Sequence, residues 1–257
     1  MKQFEVRIIE HGMVSSNYLL IKATVLGDGV SCLGFPGQFY QIKLPGDSFQ
    51  LRVPISIYNV ENNNISLLIK IIGEKTKKLK EMKVSDILDV IGPLGTSFEQ
   101  VSGIKYQKYL LVSGGCGYAP LSFLYNHLNN VKITWIHGGK NADEVSFATQ
   151  NNTSITICTD DGSIGEKGFV TEAVKSAINK TKYDIVFSCG PIPMMKALQK
   201  LCQAENIPLI VSLEEYMACG VGVCYGCAVK VKNKAGEELY VRVCKEGPVF
   251  NAGDVVF

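Results

Sequence analysis

The sequence predicts a chain in three parts: an antiparallel β-barrel or sandwich over residues 1–102, an α/β domain with a parallel sheet over 103–211, and a small cysteine-bearing segment over 212–257. Three observations carry this. Up to about residue 100, short apolar or alternating runs are separated by turn residues, the signature of many short strands. From about 105, apolar strands alternate with segments of helical spacing, which implies right-handed βαβ crossovers. Four of the nine cysteines fall between 219 and 244.

Composition narrows the class. The chain has 257 residues, 46% of them hydrophobic and 19% charged, which is globular rather than disordered and long enough for two cores. Its net charge of +2 argues against nucleic-acid binding by bulk charge. The N-terminus, MKQFEVRIIEHGMV, lacks an apolar stretch followed by a small-residue cleavage site, and no apolar run is long enough to span a membrane. The expectation is a cytoplasmic protein with reduced cysteines, too large to need disulfide staples.

The elements follow in order. Strands are expected at Phe4 to Ile9, Tyr18 to Ala23, Phe39 to Leu44, Ile55 to Val60, Ile65 to Ile72 and Ile87 to Ile91. Turns fall at Gly27-Asp28-Gly29, Pro45-Gly46-Asp47, Asn62-Asn63-Asn64 and Gly92-Pro93-Leu94-Gly95, and one helix at Lys75 to Met82. The basic run Lys75, Lys77, Lys78, Lys80 and Lys83, with Glu74 and Glu81 interleaved, reads first as a solvated helix face. In the second part, strands are expected at Tyr109 to Ser113, Ile133 to His137, Ile155 to Cys158 and Asp184 to Ser188. Helices are expected at Ala119 to Leu128, Phe169 to Ile178 and Met194 to Cys202. A hairpin closes the chain: Ala228 to Val231, a turn at 233–236, and Leu239 to Val243.

Cys219, Cys224 and Cys227, followed by Cys244, give the spacing C-x4-C-x2-C…C of plant-type [2Fe–2S] ligands. Two ferric ions need four thiolates; three come from one tight loop, in which Gly220, Gly222 and Gly226 let the backbone curl and aim N–H groups at sulfur. A tetrahedral zinc ion is the alternative, though zinc sites usually pair two C-x-x-C hooks and only one is present. Cys32, Cys158 and Cys202 read as small core hydrophobes. Cys116 and Cys189 lie in loops that would approach a cofactor, but burial accounts for their side chains as well.

Those loops are Gly114-Gly115-Cys116-Gly117-Tyr118-Ala119-Pro120 and Cys189-Gly190-Pro191, each between a strand and a helix. Glycines there allow a tight turn and close approach to a diphosphate, with helix N–H groups facing it. An ordinary tight turn explains the first loop equally well; the second strengthens the nucleotide reading. Thr159-Asp160-Asp161-Gly162 follows a third strand. In the β-rich part, Arg52-Val53-Pro54-Ile55-Ser56-Ile57 offers a phosphate-neutralising Arg and a hydroxyl, or is simply an edge strand broken by Pro.

In this order the motifs resemble the ferredoxin reductase superfamily over nearly the whole chain, and the segments 214–227 and 243–250 resemble the electron transfer subunits of class 1B dihydroorotate dehydrogenases. The small subunit of NADH-dependent ferredoxin:NADP oxidoreductase is similar throughout, but it carries aspartate as first cluster ligand where this chain has Cys219. The resemblance implies an antiparallel FAD-binding β-barrel, a Rossmann-like NAD-binding α/β domain and a C-terminal [2Fe–2S] subdomain. It implies FAD contacts at Arg52, Val53, Pro54, Ile55, Ser56, Ile69, Lys70, Ile71, Gly73, Lys75 and Thr76, and NAD contacts at Gly114, Gly115, Gly117, Ala119, Pro120, Cys189, Gly190, Pro191 and Met194. Cys219, Cys224, Cys227 and Cys244 would hold the cluster.

The implied function is a relay between NAD, FAD and cluster, linked to FMN in a catalytic partner subunit of a two-plus-two heterotetramer that oxidises dihydroorotate for pyrimidine biosynthesis. Another NAD(P)H-linked iron–sulfur flavoprotein is the alternative. No general acid or base is needed in this chain. Val221, Val223 and Tyr225 would either face the partner or shield the cluster internally. Two positions depart from the superfamily pattern. Val53 stands where an Arg is usual, with Arg52 expected on the opposite strand face, and Lys75 replaces the second glycine of Gly-x-Gly-Thr. Lys140 and Asn141 follow the strand ending at His137, where no clear discriminator between NAD and NADP stands.

Overall fold

The computed structural model describes residues 1–27, 33–46, 51–103, 106–151 and 155–257, with the backbone alone at 150 and 151. Cys32 and the turn residues Asp28, Gly29 and Asp47 lie outside them.

The first part is one antiparallel sheet of seven strands. These are β1 (Lys2–Met13), β2 (Tyr18–Val25), β3 (Phe39–Lys43), β4 (Val53–Ser56), β5 (Asn59–Glu61), β6 (Asn64–Lys70) and β7 (Ile87–Leu94). Their order is β4-β3-β7-β1-β2-β6-β5. Sequence neighbours β4 and β5 thus form opposite edges of a half-barrel. The run Ile55 to Val60, expected as a single strand, divides between them. Ile57, fully buried, makes the crossing: its N–H bonds Gln38, while the Tyr58 N–H bonds Ser66 on the far edge. The expected turn at Gly92 is instead the end of β7, which pairs Lys2 with Gly92 and Phe39 with Leu94. A register shift between Phe39 and Gln41 absorbs the change of direction. Alternating inward residues such as Val6, Ile8, Ile21, Ile42, Ile65 and Leu67 fill the interior.

Helix α1 (Glu74–Glu81) leaves β6 and covers the barrel through buried Leu79. A short helix α2 (Phe98–Ser102), capped by Ser97, then leads into the second sheet. Strands β8 (Lys108–Gly114), β9 (Lys132–Gly139), β10 (Ile155–Thr159), β11 (Glu166–Lys167), β12 (Ile185–Cys189) and β13 (Leu209–Ser212) are parallel. Helices α3 (Tyr118–His127), α4 (Ala142–Asn151), α5 (Val170–Lys180) and α6 (Ile192–Ala204) connect them. Period-2 alternation divides the core: Leu110 and Val112 face α5 and α6, whereas Tyr109 and Leu111 face α3 and α4. The sheet is therefore doubly wound.

The C-terminal segment forms a hairpin, β14 (Ala228–Lys232) with β15 (Glu238–Arg242), as expected from its turn. It also supplies an unforeseen strand, β16 (Val249–Asn251), antiparallel to β13 at the edge of the α/β sheet. Strand β13, Leu-Ile-Val-Ser, is too short and too uniformly buried to show a period, and α4 mixes polar residues without a clear apolar stripe. Among the described helices none is long and apolar enough to cross a membrane.

The α/β core buries an imidazole out of reach of solvent. His137 is completely buried beside Ser113, whose Oγ lies 2.9 Å from Nδ1, and burial lowers its pKa to about 4. The unfolded imidazole takes its proton near 6.5. The stability His137 contributes is therefore complete above pH 6.5 and is lost as pH falls toward about 4. Urea unfolding at pH about 7 and about 5 should show a loss of roughly 2 kcal/mol that His137→Leu lacks, whatever its baseline stability.

Candidate functional site

The half-barrel and the α/β sheet enclose a cleft of about 770 Å3. Its barrel wall comes from β4 and β6. In β4, Val53 and Ile55 point into the core, while Pro54 and Ser56 are half-buried toward the cleft. Arg52 precedes the first ladder residue, so strand alternation does not govern it, and it lines the same cleft as Ser56. Its guanidinium is committed to β7, bonding the Asp89 carboxylate and the Asp89 carbonyl at 2.9 Å each.

Leu68, Ile69 and Lys70 continue this wall, and Gly73, Lys75 and Thr76 bring the start of α1 to it. Thr76 Oγ1 accepts from the N–H groups of Ile72 and Gly73, closing the turn into the helix. Lys75 Nζ donates to the Arg52 carbonyl at 3.3 Å. Ile71 instead packs on the barrel core. The cleft thus offers a flat apolar face, a hydroxyl, and a cation beside a helix start. That donor set suits a planar ring with a phosphate tail.

The opposite wall is built at the point where the sheet order reverses, between β8 and β12. A turn at 115–117 links β8 to α3, and Cys189-Gly190-Pro191 links β12 to α6. The two loops pack directly together. A Cβ on Gly117 would collide with the Cys189 carbonyl and stand 2.7 Å from the Gly190 nitrogen; one on Gly190 would stand 2.9 Å from the Gly114 nitrogen. Met194 fills the remaining gap: its sulfur would be 3.0 Å from a Cβ on Gly114. Gly115 differs, with a left-handed φ of 54° and only Tyr18 Oη, at 3.6 Å, and Lys70 Nζ within 4.0 Å of an added Cβ. Ala119 reaches the cleft and Pro120 is buried in α3.

Three groups converge below this turn. Cys116 Sγ donates to Glu214 Oε2 at 3.2 Å and Cys189 Sγ lies 3.9 Å from Oε1. Burial, then the Glu214 charge, pushes both thiols up, and burial raises the Glu214 carboxyl. Glu214 is exposed along the cleft wall, so solvent tempers its shift. Lys70 bridges the two walls by pairing with Glu144 at 2.7 Å.

The cleft ends where the cysteine loop begins. Leu213 to Met217 line it, and Cys219 follows. Cys224 lies close enough to Cys219 to perturb its thiol, and Cys227 and Cys219 lie close enough to Cys244 to perturb its own. Cys219 Sγ accepts N–H groups of Val223 and Cys224 at 3.4 Å; Cys224 accepts from Gly226 and Cys227 from Cys244 at the same distance. Burial raises the Cys219 thiol, but N–H groups of Val221, Cys224 and Val223 outweigh it and bring the pKa down to about 6. Burial and the bond to Cys227 push Cys244 up to about 12.

The left-handed φ values at Gly220 and Gly222, 68° and 84°, close the loop. Two pairs of sulfurs bathed in N–H donors fit a two-iron cluster. Among the described residues no three His, Cys, Asp or Glu side chains converge to hold a single metal ion. Arg242 braces the loop: it bonds the Gly222 carbonyl, pairs with Glu246, and stands 4.7 Å over the Tyr225 ring. Cys227 and Cys244 are buried, whereas Val223 and Tyr225 are exposed and Val221 packs against the core.

The iron–sulfur cluster binding domain of dihydroorotate dehydrogenase B matches residues 214–256. The chain is 40% identical to the electron transfer subunit of dihydroorotate dehydrogenase B (NAD(+)) from Caldanaerobacter subterraneus subsp. tengcongensis, covering 86% of this chain and 87% of that protein. The chain belongs to this family of electron transfer subunits. The Fusobacterium nucleatum member is 38% identical over 96% of this chain and 98% of its own. Among solved structures, the NADH-dependent reduced ferredoxin–NADP oxidoreductase superposes with a TM-score of 0.82 at 27% identity, covering 98% of this chain and 89% of that one. The ferredoxin reductase of carbazole 1,9a-dioxygenase, at 19% identity and a TM-score of 0.67 over 80% of this chain and 67% of its own, shares the fold.

Glu214, Arg242, Tyr18 and Lys70–Glu144 pairing went unassigned in the sequence because each depends on contacts between distant segments. Glycine packing yields a sharp contrast. Gly117→Ala should destabilise the cofactor-free chain by about 1–3 kcal/mol, since backbone must move. Gly73→Ala, extended and with nothing within 4 Å, should change stability by no more than about 0.5 kcal/mol. Thermal unfolding of the two variants decides it; equal losses would refute the packing account.

Proposed function

We infer that this chain is the electron transfer subunit of an NAD-dependent dihydroorotate dehydrogenase, working with a separate FMN-containing catalytic subunit. The observation that carries the inference is adjacency: the cleft-lining Met217 and the cluster cysteine Cys219 are two residues apart, at most ~7 Å along the chain. Bound FAD would supply two-electron exchange with NAD and one-electron exchange with a [2Fe–2S] cluster, so the redox chemistry belongs to the cofactors.

The chain's own task is to hold, orient and insulate. Ser56 would hydrogen-bond the flavin ring, and the apolar wall of Pro54, Leu68 and Ile69 would exclude water from its face. Lys75 and the start of α1 carry the flavin diphosphate, with Thr76 fixing the turn. The N-termini of α3 and α6, brought together by Gly114, Gly117 and Gly190, receive the NAD diphosphate. Lys70, anchored by Glu144, sets the positive charge between the two nucleotides. Cys219, Cys224, Cys227 and Cys244 hold the cluster, and exposed Tyr216, Val223 and Tyr225 present it to the catalytic subunit.

The overlap with the ferredoxin–NADP oxidoreductase supports a second reading, a subunit serving ferredoxin chemistry. Reconstitution separates them. With the catalytic subunit, dihydroorotate should drive NADH formation; a complex that reduces NAD from ferredoxin but not from dihydroorotate would favour the second. The purified chain should show flavin bands and two irons. Cys224→Ser should lose or weaken the cluster while keeping FAD; unchanged iron content and an unchanged EPR signal on reduction would refute the ligand set.

A further inference from the structure

Gln41 has no place in the function described so far. It sits in β3 and is completely buried, and among the described residues neither Oε1 nor Nε2 has a hydrogen-bond partner. A buried polar atom left unpaired forfeits its solvation, so a full amide with both ends unpaired needs a reason. Its surroundings supply one. Tyr40 and Ile42 point into the barrel core, so Gln41 points out of it, on the face that carries Phe39 into the cleft. Its cross-strand neighbours are Pro54, also in the cleft wall, and Ile91. The amide itself lies against Gly220, immediately after Cys219. A Cβ there would collide with Gln41 Nε2 and stand 2.6 Å from Cδ. A left-handed glycine and a buried amide thus share one space, between the flavin wall and the cysteine loop.

An apolar residue would pack there without leaving polar atoms unpaired. What an amide adds is a donor, and the acceptors this loop is built to present are sulfurs: Cys219 already takes backbone N–H groups from Val223 and Cys224. We propose that Gln41, from the flavin barrel, donates its side-chain N–H to a sulfur of the bound [2Fe–2S] cluster at the Cys219 end and so raises the cluster's reduction potential. The inference rests on the cluster assignment made above. Its sign follows from charge. A reduced cluster carries one more negative charge than an oxidised one, so a donor aimed at its sulfur stabilises the reduced form.

The test uses the complete complex, with EPR-monitored redox titration of the cluster and iron analysis. Gln41→Leu should keep its iron but need a potential lower by about 59 mV for half-reduction, a tenfold shift in the one-electron equilibrium. An unchanged midpoint with full iron overturns the proposal. If Gln41→Leu does not fold or loses its iron, wild-type protein labelled with 15N in glutamine side chains decides. Pulsed EPR of the reduced cluster should show hyperfine coupling to a side-chain nitrogen, and its absence overturns the proposal. Should the wild type give no [2Fe–2S] signal at all, the cluster assignment fails first, and the two failures are distinguishable.

Discussion

Everything in this molecule depends on one short stretch, Ser212 to Cys219, that belongs to three structures at once. Ser212 ends β13 and is locked into the α/β sheet by pairing with both Cys189 and Val249. The next N–H, from Leu213, bonds the Pro248 carbonyl. Leu213 to Met217 then form part of the cleft wall, and Cys219 opens the cysteine loop. A chain this short cannot separate the sites, so the order of strands fixes the order of cofactors. The unforeseen strand β16 matters for the same reason. It returns the C-terminus to β13, clamping the stretch from its other side.

The glycines act within that frame in different ways. Gly114, Gly117 and Gly190 are small because two loops occupy the same space at the sheet's switch point, and Met194 plugs what is left. Gly115 is the exception, with room around it and a left-handed backbone. At this point of the turn the backbone conformation, rather than crowding, calls for glycine. At the cluster loop Gly220 again yields to protein, since Gln41 fills its side-chain space.

Much of this was legible beforehand. The cysteine spacing, the glycine turns and the alternating apolar runs each reflect a local requirement, and local requirements leave marks at fixed intervals. Strands and helices set by periodicity fell within a few residues of their expected places. What stayed hidden was set by distance. Glu144 meets Lys70, Glu214 meets Cys116 and Cys189, and Arg242 meets Gly222, all across long gaps in sequence. The break within Ile55 to Val60 was equally invisible, because the residue at the corner, Ile57, is as apolar and buried as any strand residue.

The departure at residue 52 shows how the fold redistributes a charge. Arg52 lies in the cleft, yet Asp89 holds its guanidinium at 2.9 Å. Val53, one residue on, is buried in the barrel and carries no charge to offer. Among the described residues, the cation on this wall without an ion pair is Lys75, whose amine donates to the Arg52 carbonyl at 3.3 Å. Arg52 positions that carbonyl through its bonds to β7, and on the proposed function it would serve the phosphate end of the cleft indirectly. A lysine in place of a glycine costs the backbone some closeness to a phosphate, but its amine reaches out from the same turn. The two departures compensate one another: charge lost from the strand is regained at the start of α1, where helix N–H groups already favour an anion.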